Sequence, residues 1–159
     1  MNRQRWLRHG AKALHEIAAI CFGGGLAACL VINLQANRAS SAEFAAARHM
    51  FAAISQYILF PSMAIVVMSG MIALIATNAY INASWAWLKA LLGLSVFEAT
   101  LTVVGSGRRQ AELLASTADP TMLDALLRSE RNTIALLIVL SIANVVLAVW
   151  RPRWSVKVD

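Results

Sequence analysis

Long apolar stretches dominate the chain, and no side chain between Met50 and Leu88 carries a formal charge. This uncharged run is about twice as long as the roughly 20 apolar residues that a helix needs to cross the hydrocarbon core of a bilayer. Because a bilayer offers no water to unpaired backbone groups, the spanning segments must be helices or a closed barrel, and the lack of strict alternation argues against a barrel. The pattern therefore predicts an integral membrane protein built from α-helices.

Polar interruptions divide the apolar sequence into four predicted spans. The spans cover residues 14–34, 50–77, 85–105 and 132–150. A short polar turn at 78–84 makes the second and third spans antiparallel neighbours, and Arg151-Pro152 ends the fourth span because proline does not continue a helix. The predicted fold class is all-α: a single domain, residues 1–159, that forms an up-down bundle of four transmembrane helices.

The segment 106–131, between the third and fourth spans, is predicted to lie outside the membrane. Asp119-Pro120 is typical of a helix start, and Asp124 precedes Arg128 by about one helical turn. The segment fits equally well a short amphipathic helix and a helical extension that leads into the fourth span. The amphipathic helix would present to the membrane surface or to a partner the apolar side chains of Met122, Leu123, Leu126 and Leu127.

The composition strengthens the membrane prediction. At 59% hydrophobic and 14% charged residues, the chain has too much apolar surface to bury inside one small soluble domain. The basic residues sit beside the apolar spans, which is typical of lipid headgroup anchoring and not of nucleic-acid binding. An even number of spans puts both termini on one side, and the positive-inside rule makes that side cytoplasmic. The expected location is the bacterial cytoplasmic (inner) membrane. The basic residues of the two tails, on which this orientation depends, are Arg3, Arg5, Arg8, Lys12, Arg151, Arg153 and Lys157.

Glu98 is the most costly side chain to place, because a carboxylate near the middle of a span must be protonated, paired or hydrated. Ser95, Glu98, Thr102 and Gly105 share one helical face, so we expect this polar seam to face the bundle. A catalytic role for Glu98 as a proton relay or as a contact for a cofactor or quinone is one interpretation. A protonated carboxyl bonded to Asn144 or to a neighbouring serine is the structural alternative.

His15 lies about one turn into the first span, on a face that continues through small and apolar residues. Such neighbours leave room for a flat macrocycle, and the triplet Gly23-Gly24-Gly25 permits close approach of a helix or of such a ligand. His15 is therefore a candidate metal and cofactor ligand, with a hydrogen-bonded structural histidine as the alternative. His49 lies at the opposite membrane face and cannot share a metal with His15.

Three side chains are expected at the depth of His15: Met68, Met71 and Lys89. Histidine–methionine and histidine–lysine ligation are both chemically sensible for iron. Lys89 is also a candidate catalytic residue, and a lysine that extends to the membrane interface is its structural alternative. Cys21 and Cys29 have no CxxC spacing and no histidine partner, so they are predicted to be packing residues.

Several segments resemble the four-helix HemJ-type membrane proteins and the related CopD-like predicted integral-membrane families. They are Lys12-Ala13-Leu14-His15-Glu16-Ile17-Ala18, Ile58-Leu59-Phe60-Pro61-Ser62-Met63 with Ser69-Gly70, Trp87-Leu88-Lys89-Ala90-Leu91, Arg131-Asn132 and Arg151-Pro152. The resemblance implies a b-type heme in the bundle with His15 as axial ligand. In the HemJ-type family, which oxidises protoporphyrinogen, the lysine matching Lys89 is also functionally important. The chain departs from that family at Gly23-Gly24-Gly25-Leu26 and has no histidine before Lys89.

Three functions compete on this sequence. The first is a b-type heme-binding membrane redox protein that passes electrons to a quinone or a partner subunit, with a protoporphyrinogen-oxidase type of activity as its enzymatic form. The second is a heme-free accessory subunit that packs against a larger respiratory, photosynthetic or transport complex. Membrane-complex subunits or further copies of the chain are the partners that we expect. The third is a proton-coupled transporter that uses Glu98, for which four spans without inverted repeats are a poor framework.

Overall fold

The computed structural model describes residues 3–35, 41–75, 84–116 and 120–150, and all of these residues are helical. The helices are α1 (Arg3–Gln35), α2 (Ser41–Ile54), α3 (Phe60–Ile75), α4 (Ser84–Ser116) and α5 (Pro120–Trp150), with a π-helical turn (Ser55–Leu59) that joins α2 to α3. Four stretches are long and apolar enough to cross a membrane: His9–Gln35, Ala42–Ala73, Trp85–Val103 and Thr121–Trp150. The predicted all-α, four-helix membrane bundle is thereby confirmed.

The four spans, of which the second consists of α2, the π-helical turn and α3, form a closed ring in chain order. α1 packs against α3, α3 against α4, α4 against α5, and α5 returns to α1, so that α1 and α4 lie on opposite sides of the ring. The centre of the ring is a small apolar core in which Leu26, Phe51, Leu59, Ile134 and Leu137 are almost completely buried. Among the described residues, more large apolar side chains are exposed than buried, which is typical of a protein whose surface is covered by lipid.

Gly25 marks the closest approach between α1 and the π-helical turn. A Cβ atom at Gly25 would lie 2.8 Å from Leu59 Cδ2, whereas a Cβ at Gly23 or Gly24 would meet nothing within 4 Å. Only one glycine of the triplet is therefore required by helix packing in the described part of the chain.

The π-helical turn occurs where Pro61 interrupts backbone hydrogen bonding in the second span. Proline has no N–H, so the carbonyl of Tyr57 loses its usual donor four residues later. The Phe60 N–H instead bonds the carbonyl of Ser55, five residues earlier. The Ser62 hydroxyl donates to the carbonyls of Ile58 and Leu59, the latter at 3.2 Å, which satisfies further acceptors in this turn.

In its described residues, the segment 106–131 continues the neighbouring helices and leads into the fourth span. α4 continues to Ser116, and α5 begins at Pro120 and runs without interruption into the fourth span. Leu127 is only 5% exposed, so it packs inside the bundle and is not presented to a membrane surface. The Arg128 Nε donates to the backbone carbonyl of Asp124 at 3.3 Å.

Several sequence predictions lie outside the described residues. They concern the helix cap Asp119, the closing Arg151-Pro152 and most of the polar turn 78–84.

Candidate functional site

His15 lies at the contact between α1 and α3, where its ring is half-buried. Its Nδ1 atom is 2.7 Å from the Ser69 hydroxyl oxygen, and the ring is also within hydrogen-bonding reach of the Val66 backbone. The Ser69 hydroxyl donates to the carbonyls of Ile65 at 2.5 Å and Val66 at 3.1 Å. When the Ser69 proton is directed to these carbonyls, the Ser69 oxygen is free to accept from Nδ1–H of His15.

Two tautomers of neutral His15 are compatible with a hydrogen bond to Ser69. In the tautomer that donates from Nδ1, the lone pair is on Nε2. That nitrogen is the one available to bind a metal or accept a proton, and the Ser69 contact fixes the orientation of the ring.

Gly70 and Lys89 complete the surroundings of His15. A Cβ atom at Gly70 would lie 3.9 Å from His15 Cε1, so this glycine keeps the space beside the ring clear of a side chain. Lys89, on α4, is half-buried and close enough to His15 for their charges to interact. Residues of α1, α3 and α4 therefore surround His15 at its end of the bundle.

The two methionines predicted to lie beside His15 are not brought to it. Met68 is 66% exposed and Met71 is 43% exposed, and each flanks the Ser69-Gly70 pair that contacts the histidine. Successive helical residues are rotated by about 100°, so α3 cannot present Met68, Ser69 and Met71 to one neighbour.

The expectation that Glu98 faces the bundle is wrong. Glu98, Ser95 and Thr102 are all exposed, and the buried face of α4 carries Val96 and Thr100 instead. The Ser95 hydroxyl donates to the Leu91 carbonyl at 3.1 Å, and the Thr102 hydroxyl donates to the Glu98 carbonyl at 3.2 Å.

Asn144 does not satisfy the Glu98 carboxyl either. Its Nδ2 atom faces Gly93, 3.8 Å from where a Cβ would stand, and its Oδ1 atom is buried without a hydrogen-bond partner. The rotation of α4 instead buries the face that carries Val96, Thr100 and Val103, because lipid and the bundle core are similarly apolar and packing decides which face turns inward.

A buried polar cluster joins three helices at the other end of the bundle. The Arg48 guanidinium donates to both oxygens of the Glu130 carboxylate, at 2.7 Å and 2.8 Å, and Asn33 Nδ2 donates to the same carboxylate at 2.6 Å. Arg48 also lies over the Phe51 ring at 4.6 Å. Arg48 and Glu130 are each only 4% exposed, so the two charges are paired away from solvent.

Sequence reasoning missed this cluster. Arg48 and Glu130 are separated by 82 residues, and each stands beside an apolar run in the manner of an interfacial charge. The one available signal was Asn33, a polar side chain eighteen residues after His15 and therefore on the same face of α1. The pairing itself depends on the ring order of the helices, which the sequence does not specify.

No group of three or more histidine, cysteine or acidic side chains lies close enough to hold a metal ion within the described ranges. Cys29 is buried and its sulfur lies 3.8 Å from the Ser55 hydroxyl, whereas Cys21 is exposed, and both are free thiols. A metal at His15 would therefore need a ligand of another kind or a cofactor.

Residues 10–152 match the model of a family described as "Predicted integral membrane protein (DUF2269)". The chain belongs to the DUF2269 family. No curated protein and no solved structure matches the chain. The matched region of this DUF2269 protein contains His15, Ser69 and Lys89 as well as the Arg48–Glu130 cluster. Membership agrees with the integral membrane prediction, and the finer resemblance to HemJ-type and CopD-like proteins stays a prediction.

Proposed function

We propose that this DUF2269 protein is a b-type heme-binding membrane redox protein and that His15 is an axial ligand of the heme iron. The observation that carries the proposal is the hydrogen bond from His15 Nδ1 to Ser69 at 2.7 Å. A metal-binding histidine characteristically donates its second ring N–H to a fixed acceptor, which orients the ring and raises the basicity of the ligating nitrogen.

The residues around His15 fit one axial ligand and a cofactor beside it. Gly70 leaves the side of the ring free of a side chain, and Lys89 adds a basic group from a third helix. An amine can ligate iron or pair with a carboxylate of the cofactor. The thioethers of Met68 and Met71 are exposed, so the proposed ligand set does not include them.

Heme held in this position would supply one-electron transfer within the membrane. His15 would hold the iron, and Ser69 would fix the ring of His15. Electrons are proposed to pass to a quinone or to a partner subunit, and an oxidase of protoporphyrinogen type is the enzymatic form that the family resemblance suggests. Glu98 lies nine residues beyond Lys89 and on the exposed surface, so the proposed redox site does not require it.

The test is the visible spectrum of protein purified in detergent from heme-replete cells. The wild type is expected to show a Soret band, and His15→Ala is expected to lose it. His49→Ala is the matched control, because His49 is exposed and lies in α2 next to Arg48, at the opposite end of the bundle. A colourless wild-type preparation, or a Soret band that survives in His15→Ala, would contradict the proposal.

A further inference from the structure

The exposed seam on α4, formed by Ser95, Glu98 and Thr102, lies near the middle of the membrane. Gly93 on α4 is level with Asn144 on α5, since a Cβ at Gly93 would stand 3.8 Å from Asn144 Nδ2. Glu98 lies about 7 Å further along α4. Because the two helices run antiparallel, this places Glu98 level with the region of Val139, in the uncharged run 132–150 of α5.

No contact within the chain satisfies the Glu98 carboxyl among the described side chains. Its backbone carbonyl accepts from Thr102, but the carboxyl group makes no hydrogen bond or ion pair there. The neighbouring exposed side chains on α4 are apolar, including Leu91 at 62%, Leu94 at 51% and Leu101 at 42% exposure. A carboxyl group in this position would face hydrocarbon, which costs several kcal/mol in membranes.

We infer that the α4 seam is the contact surface for a second copy of this chain. The occupant must cross the membrane and must carry hydrogen-bonding groups at the depth of Glu98. A second α4 meets both conditions by symmetry, because its seam presents a carboxyl with hydroxyl groups about one turn to either side. A protonated carboxyl both donates and accepts, so two such seams are complementary to each other.

The ring order of the helices leaves this surface accessible. α4 packs against α3 and α5 on its flanks and lies opposite α1. Exposed residues of α1 such as Ile20, which is 74% exposed, therefore lie on the far side of the bundle. A dimer through α4 would leave the His15 site inside each copy, so the inference is independent of heme binding.

Disulfide cross-linking in native membranes tests this surface. Cys21 is exposed and is first replaced by serine, while the buried Cys29 is kept. Ser95→Cys and Thr102→Cys are expected to give a cross-linked homodimer on oxidation. Ile20→Cys is the control for random collision, because it is also exposed but lies opposite α4. Equal cross-linking from Ile20→Cys, cross-links only to a different protein, or no cross-links from the seam would each overturn the inference.

Two variants of Glu98 test the role of the carboxyl. Two differently tagged copies are co-expressed, and their dimerisation is measured by co-purification at several ratios of protein to lipid. Glu98→Gln retains hydrogen-bonding groups and is expected to dimerise like the wild type, whereas Glu98→Leu is expected to weaken the dimerisation constant about tenfold. Dimerisation that is unchanged in Glu98→Leu would overturn the role of the carboxyl. Since the cross-linking variants keep Glu98, a folding defect in Glu98→Leu leaves that test intact.

Discussion

At the scale of single residues, hydrogen bonds distinguish polar side chains that contact His15 from polar side chains that bond only to their own helix. Ser69 shows this most clearly, because its hydroxyl donates to its own helix and accepts from His15. Ser62, about two turns earlier, donates only to the carbonyls of Ile58 and Leu59. The two serines repeat at a spacing of seven residues and look equivalent in sequence, yet only one of them contacts the proposed ligand.

Ser69→Ala is expected to weaken heme binding by about 10–100-fold, because the ligand ring loses the acceptor that orients it. Ser62→Ala removes a hydroxyl of the same helix without touching His15 and should bind heme like the wild type. Titration of heme into each purified protein, followed at the Soret band, measures both affinities. Equal affinities in the two variants would contradict the role assigned to Ser69.

The Arg48–Glu130 pair predicts a large effect of single substitutions on stability. Glu130→Ala would leave a buried guanidinium without its carboxylate, which costs about 3–5 kcal/mol. His49→Ala, at an exposed neighbouring position, is the control and should change stability little. Unfolding of the detergent-solubilised protein by increasing fractions of a denaturing detergent measures the difference. A loss below about 1 kcal/mol in Glu130→Ala, as for surface ion pairs, would show that the pair is not buried.

At the scale of helices, the second span shows how an interruption is accommodated. Pro61 would break the hydrogen bonding of a regular α-helix, and the turn Ser55–Leu59 instead widens to a π-helix. Leu59 within this turn is fully buried and lies against Gly25 of α1. The close contact between α1 and the second span therefore depends on a glycine at this one position.

Gly25→Ala is expected to lower the stability of the protein by about 1–3 kcal/mol, because its methyl group would overlap Leu59 in a packed core. Gly24→Ala is the matched control, since a Cβ there meets nothing within 4 Å. Alanine also favours the helical state over glycine by about 1 kcal/mol, so Gly24→Ala should be neutral or slightly stabilising. Thermal unfolding in detergent compares the two variants with the wild type. The packing at Gly25 would be refuted by equal melting temperatures.

The helices themselves were predictable from the sequence, but their rotations were not. Uncharged runs such as Met50 to Leu88 indicate that lipid surrounds the chain. Together with the lack of strict alternation, this predicts an all-α membrane fold. Hydrophobicity does not distinguish a bundle core from lipid, however, so it could not tell that Glu98 lies outside and Thr100 inside. For the same reason His15 was found as a candidate, whereas its contact with Ser69 and the pairing of Arg48 with Glu130 were not.

At the scale of the whole molecule, four helices long and apolar enough to span a membrane predict that both chain ends lie on one side of it. The basic residues near the two chain ends predict that this side is cytoplasmic.

Reporter fusions test this topology. A reporter that is active only in the cytoplasm should be active at both the N-terminus and the C-terminus, and a periplasmic reporter should be inactive at both. Activity of the cytoplasmic reporter at one end only would contradict an even number of crossings. Activity of the periplasmic reporter at both ends would reverse the orientation while leaving the bundle intact.

The most direct test of the central claim, that His15 holds a heme, is chemical rescue of its removal. Heme is titrated into purified wild type, His49→Ala and His15→Ala, each with and without imidazole. The account predicts that the wild type and His49→Ala bind heme without help, and that His15→Ala recovers an axially ligated spectrum only when imidazole replaces the missing ring. Heme binding by His15→Ala with the wild-type spectrum and no imidazole, or no heme binding by the wild type, would contradict it.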